Sequence, residues 1–274
     1  MMRSFHVLLF LAILLPSVAP AALTQSFQQT GNLGLEVAGA GGVNQSVVSG
    51  TLSVAGLPPG AIVQRAYLYA SQNGNGTNPL VATFNGSNLG AVGPLASDPA
   101  FLTLYTYRWD VTAAVVPPLT SFGFTVTETV FGLGIAGIGL VVVWQDPAEP
   151  MRTITILDGM KQVGESGPES ESVTFSGLPP GPTKAWTFTA YDDSAATGET
   201  VRYNGSVVGG PLDQNVGMNA SVLQMTTTSA SGSNTMSIQT GGDHLAWMVA
   251  ATAVDLSPVG LTPHSWANIK ALFR

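Results

Sequence analysis

The stretch "SGTLSVAGLPPGAIVQRAYLYA" (residues 49–70) has a counterpart later in the chain, "ESVTFSGLPPGPTKAWTFTAY" (residues 171–191). Both contain GLPPG, at 56–60 and at 177–181. Before the pentapeptide, apolar and polar residues alternate. Leu52 and Val54 fall on Val173 and Phe175, with Ser53 and Thr174 on the opposite side. Period two marks a strand buried on one face. After the pentapeptide, Arg65, Tyr67 and Tyr69 fall on Trp186, Phe188 and Ala190, again a strand pattern. Proline fixes φ and removes an N–H, and glycine permits tight bends. The two copies predict one kind of corner, where a strand leaves one sheet and joins another.

The correspondence extends outward. "VATFNGSNLG" matches "TVRYNGSVVG", and Asn85-Gly86 and Asn204-Gly205 each predict a two-residue hairpin turn. "SFGFTVTE" is similar to "SNTMSIQT", "GLVVVWQDP" to "VAATAVDLSP", and "NLGLEVAG" to "TITILDG". Each half reads as roughly eight short strands. The expected fold is all-β: two tandem, related β-sandwich units of jelly-roll type plus a short helical tail. The expected boundaries are 22–147 and 148–258, with the break at "QDPAEP" (145–150), and a tail at 259–274. In the tail, Thr262 and Pro263 start a helix on which Trp266, Ile269 and Phe273 share one face, a docking or tethering surface.

Residues 1–21 read as a secretory signal peptide: Arg3, the apolar run "FHVLLFLAILL", and an A-x-A pattern at Ala19–Ala21. The apolar run is too short for a membrane span. The expected location is therefore outside the cell, secreted or at the surface. No cysteine is present, so neither disulfides nor thiolate metal sites hold the fold. Charged residues make up 9% and the formal net charge is -7, which excludes nucleic-acid binding by counterion release. The 32 glycines and 18 prolines suit a β protein with many turns.

Several motifs invite chemistry. Gly132, Gly134 and Gly137 form a G-x-G-x-x-G, with Asp158 about 20 residues on. A dinucleotide site needs a helix after the glycines. Here "IGLVVVW" follows, so the glycines are expected in a hairpin or bulge between buried strands. Asp243-His244 is the only Asp-His pair, and no G-x-S-x-G elbow accompanies it, so a hydrolase is the least favoured reading. Acidic loops hold Glu165, Glu169 and Glu171, and Asp192, Asp193 and Glu199. The second set are calcium-ligand candidates, set against a reading as solvated acids. No other cofactor is expected. Tyr105, Tyr107 and Trp109 alternate on one face. Exposed, such a row is a sugar-binding platform; buried, it is core, which is the commoner fate in sandwiches.

"VQRAYLYAS", "YRWDVTAAV" and "GLVVVWQDPAEPMRTITILDG" resemble a domain of unknown function found in secreted and cell-surface proteins of bacteria and archaea. Its pattern of an aromatic strand, a "DVT" segment, and a "DP", a basic residue and a "DG" is matched by Trp144–Pro147, Arg152 and Asp158-Gly159. Ala70 and Gln145 depart from the usual aromatic and acid. The resemblance implies an extracellular β-rich module and no known activity. The expected function is a non-enzymatic secreted or surface protein of adhesion, matrix or envelope. Its expected partners are surface or matrix components or copies of itself. A carbohydrate-binding module is the alternative.

Overall fold

A computed structural model describes residues 22–256, except 75–77, 101, 131–133, 165–167, 192–197, 213, 214 and 218. Among the described residues every regular element is a strand, apart from one 3-10 turn at Thr112–Ala114. The first nine strands are β1 (Ala22–Gln45), β2 (Val47–Ser53), β3 (Ile62–Asn73), β4 (Leu80–Phe84), β5 (Ser87–Val92), β6 (Ala96–Asp98), β7 (Leu104–Asp110), β8 (Ser121–Glu128) and β9 (Gly134–Gln145). Then come β10 (Met151–Val163), β11 (Ser170–Leu178), β12 (Gly181–Ala190), β13 (Thr200–Tyr203), β14 (Ser206–Gly209), β15 (Ala220–Ser229), β16 (Gly232–Gln239) and β17 (Leu245–Asp255). No helix among the described residues is long and apolar enough to cross a membrane.

A nine-stranded antiparallel sheet runs in the order β15-β12-β17-β10-β1-β9-β3-β7-β6. Two four-stranded sheets flank it, β2-β8-β4-β5 and β11-β16-β13-β14. The long strand β1 is the seam. Ala22–Asn32 pairs with β10, and Leu33 onward pairs with β9. A cut at 147/148 would separate β9 from β10 in sequence, but the sheet itself continues through β1. Leu23 even packs in a core cluster drawn otherwise from residues 157–254.

Both GLPPG segments connect an edge strand of a flanking sheet to the long sheet, β2 to β3 and β11 to β12. The alternation is as expected: Leu52, Val54, Val173 and Phe175 are buried, while Ser53 and Thr174 are exposed. The two corners are built differently. In the first the positive-φ glycine is Gly60 (φ 83°), after the prolines; the second has Gly177 (φ 69°) before them as well as Gly181 (φ 159°) after them. The Asn-Gly pairs turn β4 into β5 and β13 into β14. Their φ values are 48° and 76°, and 49° and 81°, the doubly positive signature of a type I′ turn.

Period two gives the long sheet two apolar faces. One arm packs Leu68, Tyr107 and Leu140 against Leu80, Phe84 and Phe122 of its flanking sheet. The other packs Trp247 and Ala185 against Phe175, Tyr203 and Ile238. The remaining faces of the two arms meet each other, bringing Tyr69, Val141 and Val143 together with Phe188, Met248 and Ala251. Each such large apolar side chain contributes about 1.5–3 kcal/mol on burial.

The glycine run of β9 explains how the arms come so close. A Cβ on Gly139 would lie 2.6 Å from the Phe188 ring, and one on Gly137 would lie 2.9 Å from the Ala190 Cβ. The G-x-G-x-x-G glycines that are described, Gly134 and Gly137, lie on β9, buried except at Gln145, and the register with both neighbouring strands shifts between Gly137 and Ile135, the expected bulge between buried strands. The leader (1–21) and the tail with Trp266, Ile269 and Phe273 lie outside the described residues.

Gly139→Ala overpacks this junction and should lower stability by about 1–3 kcal/mol in urea unfolding. Pairing it with Phe188→Leu should cost less than the sum of the two single changes.

Candidate functional site

The motif segments converge where the two arms meet. In the β3–β7 pairing Tyr69 lies opposite Arg108, and Ser71 opposite Thr106. These residues share a face that looks across to β10. Tyr105, Tyr107 and Trp109 look the other way, into the first core. Arg108 Nη1 donates to Asp158 Oδ2 at 2.7 Å, and the Tyr69 hydroxyl donates to the same oxygen at 2.6 Å. The guanidinium also sits 4.6 Å from the centre of the Tyr67 ring. Burial first, and then Asp158, push the Tyr69 phenol well above its ordinary pKa, so it stays a neutral donor. Burial disfavours the Arg108 charge, but Asp158, together with Tyr69 and Tyr67, more than offsets this and raises its pKa overall.

Gly159 completes the "DG". Its φ is 152°, and a Cβ there would lie 1.9 Å from the Ala22 carbonyl oxygen on β1. Its own carbonyl accepts from Thr106 Oγ1 at 2.6 Å. The "DVT" segment closes the far end of β7. Asp110 accepts from Arg65 at 2.9 Å and from the Thr112 amide at 3.0 Å, and Thr112 Oγ1 accepts from the Ala66 amide at 2.9 Å.

A second tie uses "WQDPAEPMR". Asp146 Oδ1 accepts from the Ala148 amide at 2.8 Å and shapes the turn. Arg152 donates to Asp255 at 2.6 Å, to Glu149 at 2.8 Å and to the Leu33 carbonyl at 3.0 Å, pinning β17, the turn and β1 together. Trp144 Nε1 donates to Glu149 at 3.2 Å. Its ring lies directly on Gly34, where a Cβ would come within 2.1 Å.

The Asp-His pair belongs to a third tie. His244 is fully buried, and its Nε2 lies 2.8 Å from Gln162 Oε1. Gln162 Nε2 donates to the Asp98 and Leu102 carbonyls at 2.5 and 2.7 Å, and the Gln162 amide donates to Asp98 Oδ2 at 2.8 Å. Asp243 Oδ1 accepts from the His244 backbone amide at 2.7 Å. The ring nitrogen a hydrolase would need for its nucleophile thus faces a carboxamide oxygen. His264 lies outside the described residues.

Tyr105, Tyr107 and Trp109 are core, the fate favoured above, at 7%, 0% and 3% exposure, and the alternative of a sugar platform there is corrected by that burial. No ring face of the row is open, because the flanking sheet covers it. The Tyr107 hydroxyl is 2.6 Å from Gln72 Oε1 and 2.7 Å from the Asn78 carbonyl, and burial raises its pKa. Of the calcium candidates, Asp192 and Asp193 lie outside the described residues and Glu199 is buried. No group of three acidic or histidine side chains among the described residues is placed to hold a metal ion. Sequence reasoning passed over Arg108 and Gln162. The signal for Arg108 was a charge set between two buried aromatics, which period two places on the opposite face.

Asp158→Ala leaves Arg108 and Tyr69 facing an empty position. It should cost about 3 kcal/mol in chemical denaturation, the low end for removing one partner of a buried pair, because Arg108 is partly solvated. Tyr69→Phe should cost about 1 kcal/mol.

No curated protein sequence matches the chain. Among solved structures, it is similar to a β-porphyranase of glycoside hydrolase family 86 from the human gut bacterium Bacteroides plebeius, with 13% identity and a TM-score of 0.27 over 80% of this chain and 36% of that one. It is similar to the major capsid protein P2 of bacteriophage PM2, with 10% identity and a TM-score of 0.25 over 82% and 99%. PNGF-II gives 8% identity and a TM-score of 0.31 over 87% and 62%. The chain thus spans little more than a third of the porphyranase, and at these scores the likenesses carry no functional argument. The family model for DUF3344, described as a protein of unknown function, matches residues 19–255, and the chain belongs to that family.

Proposed function

We propose that the protein is a non-enzymatic extracellular module, secreted or held at the cell surface, that serves adhesion, matrix or envelope structure. In this reading it consists of two tandem jelly-roll-like sandwich units. Support for the two units comes from matching strand orders, β7-β3-β9-β1 with β2-β8-β4-β5 against β15-β12-β17-β10 with β11-β16-β13-β14. The observation that carries the function is where the family motifs go. Tyr69, Arg108, Asp158, Trp144 and Arg152 are all spent fastening the two arms of one sheet. Motifs used this way preserve a rigid body. A module whose only task is to present a surface needs a rigid body and no reactive group.

The leader pattern at 1–21 and the low charge support export and contact with a partner or with copies of the same chain. The tail, through Trp266, Ile269 and Phe273, is the tethering element of this reading.

Fractionation of native cells should place the protein in the surface or medium fraction, with an N-terminus near Ala22. A full-length chain confined to the cytosol would sink the proposal. Removing residues 259–274 should release the protein from the surface. Unchanged attachment and unchanged cross-linked partners would remove the tail from the function.

A further inference from the structure

The second half of β1 pairs with β9 and has no strand on its other side. In an antiparallel pair, residues alternate between exchanging both backbone bonds with the partner strand and turning both groups away from it. Two contacts fix which residues turn away. The Gly41 amide donates to the Val216 carbonyl at 2.9 Å, and the Leu33 carbonyl accepts from Arg152 at 3.0 Å. Leu35, Val37 and Gly39 share their parity, so the N–H and C=O of each point out from the free edge. Among the described residues none of these groups has a hydrogen-bond partner. Leu35 and Val37 are nonetheless buried, at 6% and 5% exposure, and buried backbone groups are nearly always paired. The edge is thus closed at both ends, by Arg152 and by Val216, and open between them.

A cavity of about 410 Å³ lies against the open stretch. Val37, Ala38 and Gly39 form one side, Thr51 and Ser53 of β2 another, and Val216 and Val222 a third; no charged residue lines it. A smaller cavity of about 150 Å³ adjoins Gly34, Leu35 and Glu36, and its lining includes Arg152 and Ala253. Together the two cavities follow the edge from Gly34 to Gly39. The described chain leaves by the first end of that path, where the Leu256 amide donates to the Met151 carbonyl at 2.9 Å. The matching strand of the other arm has a neighbour in this place. "TITILDG" on β10 corresponds to "NLGLEVAG" on β1, and the side of β10 away from β17 is covered by Ala22–Asn32.

N–H and C=O groups repeating at every second residue are the chemistry that receives an added strand. We propose that residues 257–262, "SPVGLT", pair along β1 between Leu33 and Gly39 as a further strand of the same chain. The length fits. At about 3.3 Å per residue, six residues reach about 20 Å, the span from Leu33 to Gly39. The chemistry fits as well. The segment carries no charge, and neither does the lining of the larger cavity. With Val259 and Leu261 turned toward β1, Pro258, which has no N–H to give, faces away. Val216 and Val222 offer apolar cover to the incoming side chains. Thr262 and Pro263, the helix start read from the sequence, then fall at the end of the paired stretch, so a helix beginning there would leave the body beside Gly39. The inference goes beyond the extracellular reading, and it stands or falls whether or not the tail tethers the protein.

The test is amide hydrogen exchange on the purified full-length chain, read by NMR at Leu35, Val37 and Gly39. These amides should exchange slowly in the natural chain. In a Val259→Pro, Leu261→Pro double variant, which removes the two N–H groups that face β1, they should exchange about tenfold faster or more. A chain ending at Leu256 should behave like the double variant. The Tyr69 amide on β3 should exchange alike in all three, which separates a lost strand from a lost fold. Protection in the natural chain should be unchanged on about hundredfold dilution, as a contact within one chain requires. The proposal is overturned if the three amides exchange freely in the natural chain, or if they stay as protected in either altered chain. It is also overturned if their protection falls on dilution, which would make a second copy the donor of the strand.

Discussion

Strand β1 hydrogen-bonds to β10 with its first half and to β9 with its second, and the rest of the molecule is arranged around that sharing. Each half of β1 is paired on one side only, so it is the edge strand of its own arm, and the continuity of the strand joins the two arms. Sharing alone would leave the arms splayed, with an apolar face on each. They close because β9 presents Gly137 and Gly139 where β12 presents Phe188 and Ala190, and bare backbone lets the opposing ring approach. Burial then drives the closure, and the polar ties fix its register.

The ties are costly groups put to a geometric use. Asp158 is nearly fully buried, and it is tolerable there because a guanidinium and a phenol both donate to it. Gln162 fills every position of its carboxamide, reaching from its own arm, where it meets His244, to the Asp98 and Leu102 carbonyls of the other. A slip by one residue would turn every side chain to the opposite face of the strand and would break these hydrogen bonds as well. The family pattern is then a record of which positions must not slip.

Much of this was legible in sequence because it depends on short-range rules. Alternation around GLPPG and the Asn-Gly pairs identified the strands and hairpins, since side-chain period and positive φ are local properties. The uncharacterised family could likewise be read from "AYLY", "DVT" and "DG". What escaped depends on the third dimension. Period two shows that Tyr107 and Arg108 face opposite ways, but not which of them faces solvent. Here Tyr107 is buried and Arg108 is only partly solvated, because the long sheet is covered on both sides. The sugar platform at Tyr105, Tyr107 and Trp109 failed for that reason. The meeting of Tyr69 and Arg108 at Asp158 joins residues 89 and 50 positions apart, so no window of sequence contains it.

The position of β10 has a temporal consequence. Its two neighbours are β1, from the beginning of the described chain, and β17, from its end. During synthesis β10 acquires its second neighbour only when the last strand has emerged, so the contacts that close the second arm are among the longest in the chain. Folding of that arm is correspondingly slow for its size. A chain broken off before Leu245 would carry a long, apolar strand with one bare edge, the kind of surface that recruits other strands. Emergence of β17 is thereby coupled to solubility, and a copy that lacks it is marked by its own exposed edge.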